Sequence, residues 1–295
     1  MTSGQNAGDA GGPSRWPQDT WLAFAPVLVF EAWSERSARE GKILTTPRPP
    51  LPAAAGGILD TRNYTWTLYG GKVGLGRLLE ICDRHACRTT IVANGLAIER
   101  HPSLIRQAAQ CGHEIAAHGY DQGEPLYLMD RRGRERDIQL CRRIIEETTG
   151  EAPQGWMSPG LGYTEDTLEL LGQLRFLWHG DHADADLPYS IDVLGRPLVE
   201  IPVNMDLNDN ATYVRHGQSP LTHLEKIRCT LEVLYRERNR RRALLSPVFH
   251  CHNSGRPMGS WAFEETLKLV RGYSSVWFTT YGEIARSTLE SPSGS

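Results

Sequence analysis

Two periods of apolar residues alternate along this chain. Short, nearly unbroken apolar runs at Leu22 to Phe30, Arg88 to Gly95 and Gly112 to Tyr120 have the character of strands buried on both faces. Pro26 interrupts the first run, so its ladder should break there. Between and after these runs the apolar positions recur every three to four residues. Leu75, Leu78, Leu79, Cys82 and Ala86 make one such face, and Ser103 to Gln110 continues the pattern. Arg131 to Thr149 makes another, closed by Gly150 where a left-handed residue is wanted, and Thr164 opens the next, with Leu168, Leu171 and Leu174 on one side. Further on, Arg175 to Trp178 reads as a strand, Leu187 and Leu198 mark two short extended pieces, and Leu221 to Arg238 is amphipathic. Ala243 to Phe249 is a late strand, Trp261 to Val270 a helix and Ser275 to Thr279 the last strand. The β/α alternation predicts a parallel barrel or barrel-like sheet without sequence repeats.

The 295 residues, 40% of them hydrophobic, can bury one full core. We expect one domain over 16–288, a disordered tail over 1–15 and a flexible tail over 289–295. The first fifteen residues lack the apolar stretch of a secretory signal, and no run approaches the ~20 residues needed to span a bilayer. The net charge is −3, and the one dense basic cluster, Arg236 to Arg242, reads as a solvated helix end. These features argue against nucleic-acid and membrane partners and for a small-molecule substrate; a homo-oligomer remains compatible with them. The six cysteines have no Cys-x-x-Cys spacing, which suggests reduced thiols in a cytoplasmic protein.

Polar residues at the ends of parallel strands converge on one rim. That puts Glu31, His118, Asp181, His182, His250 and His252 in candidate positions. His250 and His252, two apart on a strand, would share a face, and with His118 they could form a three-histidine zinc site. The alternative is that one is catalytic and the other bonds to backbone. His179, Asp181 and His182 could hold a metal or simply make a turn. Cys251 could be a nucleophile only with a base on its own side of the strand.

Several ordered motifs carry a family resemblance. They are Tyr64-Thr-Trp-Thr-Leu-Tyr-Gly-Gly-Lys-Val-Gly74, Ala93-Asn-Gly-Leu-Ala97, Gly112-His-Glu-Ile-Ala-Ala-His-Gly119, Asp184-Ala-Asp-Leu-Pro-Tyr189 and His250-x-x-x-x-Gly-Arg-Pro257. Over roughly Trp16 to Arg286 the chain resembles the polysaccharide deacetylase (NodB-homology) superfamily, and within it the allantoinase-like and cyclic-imide-hydrolase-like branch. The resemblance implies an α/β fold, a distorted (β/α) barrel of about seven parallel strands, and hydrolysis of a carbon–nitrogen bond outside peptides. In the metal-dependent members the first strand ends in a base followed by a metal-binding acid, and a His-x-x-x-His motif supplies two more ligands. Here the matching positions are Glu31, Ala32, His118 and Gln122. Alanine cannot coordinate and an amide is a poor zinc ligand. The family's third-motif arginine is also missing from Gly155-Trp-Met-Ser-Pro-Gly160.

The expectation is therefore a hydrolase that needs no cofactor and opens a small cyclic amide, imide or ureide. Glu31 would be the base, His250 the acid, and His118 the residue that orients substrate or donates to the oxyanion. Trp33, Trp66, Tyr120, Trp156, Asp181, Tyr189 and His252 are the expected substrate-binding residues, with the wall near Trp178 adding apolar surface. Two alternatives stand beside it. One is a metal-dependent N-deacetylase with one zinc on His118, His250 and His252. The other is a binding protein or non-hydrolytic catalyst on the same fold.

Overall fold

The structure, a computed structural model, describes residues 16–290 apart from 18, 48 and 50–57. The tail expected over 1–15 lies outside the described residues, as does most of the one expected over 289–295. Among the described residues the strands are β1 (Leu22–Phe24), β2 (Val27–Phe30), β3 (Thr90–Ala93), β4 (Glu114–Ala117), β5 (Gly155–Trp156), β6 (Trp178–His179), β7 (Tyr189–Val193), β8 (Arg196–Glu200), β9 (Ala243–Leu245), β10 (Val248–His250) and β11 (Val276–Phe278). The large sheet runs β10-β2-β3-β4-β5-β6-β8-β7. Its seven strands from β10 to β8 are parallel, the expected number, and β7 closes the edge as an antiparallel hairpin with β8.

Prolines divide the strands. Pro26 has no N–H for the ladder, so β1 and β2 separate there and take different neighbours: β1 lies between β11 and β9, β2 between β10 and β3. Pro247 likewise splits the strand expected over Ala243 to Phe249 into β9 and β10. The barrel does not close. Among the described residues the gap is crossed by one bridge, Asn208 to Val248, in place of a ladder between β8 and β10.

Strand alternation sorts the core into two sets. Leu28, Phe30, Ile91, Ala93, Ile115 and Ala117 pack under the helices with Leu78, Ile105, Ile138, Leu231 and Phe263. Val27, Val29, Val92, Ala116, Trp178, Val199 and Tyr281 fill the other face. Sequence periodicity locates the long helices 131–149 and 220–237 to within a residue, and Gly150 does take the left-handed cap, at φ 86°. The stretch after Glu31 holds more helix than its composition suggests, with helices at 35–39 and 61–69. The latter runs through a π turn, Gly70–Gly74, into 75–84. Glycine is required in that turn, because a Cβ on Gly74 would stand 2.1 Å from the Cys251 carbonyl oxygen. No described helix is long and apolar enough to cross a membrane.

Candidate active site

Because β2, β4 and β10 are parallel neighbours or near-neighbours, their C-terminal ends deliver Glu31, His118 and His250 to one rim, and all three are buried. His252 joins them by a different route from the one expected. The strand ends at His250, and Cys251–Ser254 is a short helical turn. That turn brings both imidazoles to Glu31 Oε2, with Nε2 of His250 and Nδ1 of His252 each 3.9 Å away. His118 Nε2 stands 3.4 Å from the other carboxylate oxygen, Oε1.

Each ring is held from behind. His118 Nδ1 donates to the Met157 carbonyl at 2.6 Å, which fixes the ring with Nε2 toward the base. His250 Nδ1 donates to Asp209 Oδ1 at 2.6 Å, while Asp209 Oδ2 accepts the His250 backbone N–H at 2.8 Å and the Ser254 hydroxyl at 2.5 Å. His252 Nε2 meets the Thr45 hydroxyl at 2.8 Å, and the edge of Trp33 packs on its ring at 5.6 Å between centroids.

The electrostatics separate a base from an acid. Burial alone would raise the Glu31 carboxyl, but His250, His118 and His252 outweigh it and hold the group below its ordinary value. Burial disfavours charge on His250 too, yet Asp209 and Glu31 prevail and its pKa is raised. His252 goes the other way: burial wins over the pull of Glu31 and pushes it down to about 4. Burial also pushes the Cys251 thiol far up, and with the residue in a helical turn rather than a strand it is no nucleophile.

The remaining expected residues divide. Trp66 is half-buried beside the site, its indole N–H donating to Asn253 Oδ1 at 3.0 Å and its ring stacked under the Arg256 guanidinium. Trp156 is not a pocket wall: it is fully buried, packs against Phe176 and donates to Ser158 Oγ at 2.9 Å. Trp178 is equally interior, bonded to Glu114 at 2.8 Å. Tyr120 directs its hydroxyl to Glu99 at 2.9 Å rather than to Glu31.

Asp181 and Tyr189 belong to a second cluster, further round the rim at the ends of β6 and β8, with β5 between it and the strand of His118. Buried His179 lies between two carboxylates, with Nε2 to Asp181 at 2.9 Å and Nδ1 in a short contact with Glu200. Burial opposes its charge, but the two carboxylates raise its pKa to about 10. His182 bonds to Tyr163 and, at 3.0 Å, to Tyr189, whose hydroxyl reaches Asp184. Among the described residues, His179, His182 and Glu200 form the one group of three that brings ligand-type atoms within metal-sharing distance. Both nitrogens of His179 are committed to carboxylates, so the cluster holds a proton where a metal would need a lone pair. Asp181 also accepts the Ser158 N–H at 2.7 Å, which ties this cluster to the segment holding His118. Sequence reasoning left out Glu200 and Thr45; Glu200, like Glu31, is an acid at the end of a short apolar run.

A parallel α/β sheet with carboxylates and imidazoles gathered at its C-terminal rim is the class of protein that fold and site define. The sequence pattern of the family described as "Polysaccharide deacetylase" matches residues 70–177. A peptidoglycan deacetylase of Helicobacter pylori is 25% identical over 260 residues, which is 76% of this chain and 86% of that one. The crystal structure of PuuE allantoinase superposes with a TM-score of 0.86 at 27% identity, covering 97% of this chain and 96% of that one. Residues 70–177 thus match the polysaccharide deacetylase family, and the fold around them is shared with PuuE allantoinase along nearly the whole chain.

The metal of that family does not fit these residues. The Gln122 backbone N–H donates to the Ala32 carbonyl at 3.2 Å, so the two positions are neighbours, and their side chains, a methyl and an amide, offer no carboxylate or imidazole to a metal. The rebuilt set of His118, His250 and His252 is not a compact one either. Their nitrogens surround Glu31 without coming within sharing distance of one another as a group.

Proposed function

We propose that this chain hydrolyses a non-peptide carbon–nitrogen bond, opening a small cyclic amide, imide or ureide with Glu31 as base and His250 as acid. The observation that carries the reading is the opposed titration of two buried groups 3.9 Å apart. The surroundings favour the ionised form of Glu31 and the protonated form of His250, the forms in which one accepts a proton and the other donates one. Water attacks the carbonyl carbon as Glu31 takes its proton, the carbon–nitrogen bond breaks, and His250 protonates the departing nitrogen. His118, fixed by Met157, orients Glu31 from its other oxygen. Each proton transfer contributes on the order of 10²–10⁴-fold.

A ring substrate is favoured over an N-acetylated sugar. An unactivated acetamide is a hard target without a Lewis acid on its carbonyl, and the family's ligand positions hold Ala32 and Gln122. A cyclic imide or ureide has a better leaving nitrogen and a flat face suited to Trp66 and the Trp33–His252 pair. The likeness to an allantoinase along nearly the whole chain supports the same class. The test is a side-by-side assay of N-acetylglucosamine oligomers against five- and six-membered cyclic imides and ureides. Ring opening is the expected result; acetate release with every ring untouched overturns the proposal.

A further inference from the structure

His252 has one nitrogen whose role the acid–base pair leaves unexplained. The Thr45 hydroxyl donates to Asn210 Oδ1 at 3.0 Å, so toward His252 Nε2, at 2.8 Å, it accepts. The ring hydrogen therefore sits on Nε2. Burial holds the pKa near 4, so at neutral pH there is no second hydrogen and Nδ1 presents a bare lone pair. That lone pair is buried, has no partner and stands 3.9 Å from Glu31 Oε2, which is also buried and unpartnered. Two acceptors facing each other in a buried site call for a molecule with two donors.

We propose that His252 is a positioning residue for the attacking water, its Nδ1 and Glu31 Oε2 taking the two hydrogens of one molecule and leaving the oxygen lone pairs free for the carbonyl carbon. The inference rests on Glu31 being the base. An oxygen about 2.9 Å from both acceptors would see them at roughly 85°, close enough to the angle between the hydrogens of water for two bent hydrogen bonds. As the carbon–oxygen bond forms, the hydrogen facing Glu31 passes to its carboxylate. The one facing His252 stays on the oxygen, so no proton moves at His252. This gives the water the fixed direction that a metal supplies in sites with a full ligand set, using a residue two positions after the acid.

Two isosteric variants separate this from a structural role. His252→Asn places an amide oxygen near the position of Nδ1 and loses the hydrogen to Thr45; His252→Gln reaches Thr45 with its amide and loses the acceptor. On hydantoin and succinimide we expect His252→Gln to lower kcat by about 10²-fold with KM little changed, and His252→Asn to recover at least tenfold of that loss. The reverse order would mean the ring only ties down Thr45, and a raised KM with kcat intact would mean that Nδ1 binds a substrate N–H; either result overturns the proposal. Nitrogen-15 NMR of the labelled full chain tests it without variants, since a hydrogen on Nδ1 contradicts it directly. Glu31→Gln is run alongside. If it keeps wild-type turnover, the base assignment fails; if it loses turnover while His252→Gln does not, only the water proposal fails.

Discussion

Asp209→Asn isolates the support of the proposed acid. Asp209 is fully buried and accepts from the His250 backbone N–H, from His250 Nδ1 and from the Ser254 hydroxyl. Asparagine keeps the shape but removes the charge and turns one of the two acceptors into a donor, so at least one of the three donors faces another donor. A charge-assisted hydrogen bond contributes roughly 1.5–3 kcal/mol, and losing that support for the protonated ring should lower the His250 pKa. On the alkaline side, where turnover follows the protonated fraction of His250, that energy corresponds to about a 10- to 100-fold loss. On the acid side, set by Glu31, the two proteins should converge. The sign for stability follows from the raised His250 pKa. Its contribution is full below the unfolded value of 6.5 and is lost as pH rises through the folded value, so the variant should show a flatter dependence in that range. The assay is kcat/KM against pH on a ring substrate, paired with thermal unfolding at each pH. An alkaline limb that coincides in variant and wild type would refute the Asp209–His250 reasoning.

Chelation should leave turnover intact, and the purified chain should carry well under one equivalent of transition metal; zinc near one equivalent, with activity lost on removal and regained on return, would contradict this. His179→Leu should cost about 3–5 kcal/mol near neutral pH, because it leaves Asp181 and Glu200 buried without the cation between them. In the wild type that stabilisation is complete below 6.5 and lost as pH rises through about 10, so thermal midpoints followed across this window should fall for the wild type and stay nearer level for the variant.

Strong periodicity and caps made the frame legible. Gly150 and the apolar stripe of Arg131 to Thr149 mark one helix in sequence and structure alike, and Pro26 marks the break between β1 and β2. Helix 281–289 carries its signal locally, in the capping box that Thr280 and Glu283 form at its start, and not in a long apolar stripe. Strand β6 is only two residues long, because the first three residues of the expected run, Arg175 to Leu177, turn out of the preceding helix, with Arg175 at φ 61°, and the polar turn begins directly after His179. At the site, Glu31, His118 and His250 could be placed together because parallel strands end on one rim. Their partners could not. Asp209 reaches His250 from a loop 41 residues earlier, and Thr45 reaches His252 across 207 residues, separations that no local pattern encodes. Trp156 and Trp178 were misplaced because composition records an aromatic residue but not its direction; both turn into the core. His252 was placed near His250 by strand alternation, whereas the helical turn Cys251–Ser254 brings it there.

The most direct test of the central claim is single-turnover and steady-state kinetics of Glu31→Gln with chelator present, on the ring substrate that the wild type opens. Glutamine preserves the shape beside His118, His250 and His252 but cannot accept the proton of water. The account predicts a folded protein that binds substrate with nearly unchanged affinity and turns it over on the order of 10²-fold or more slowly. Near wild-type turnover would contradict it and remove Glu31 from the chemistry.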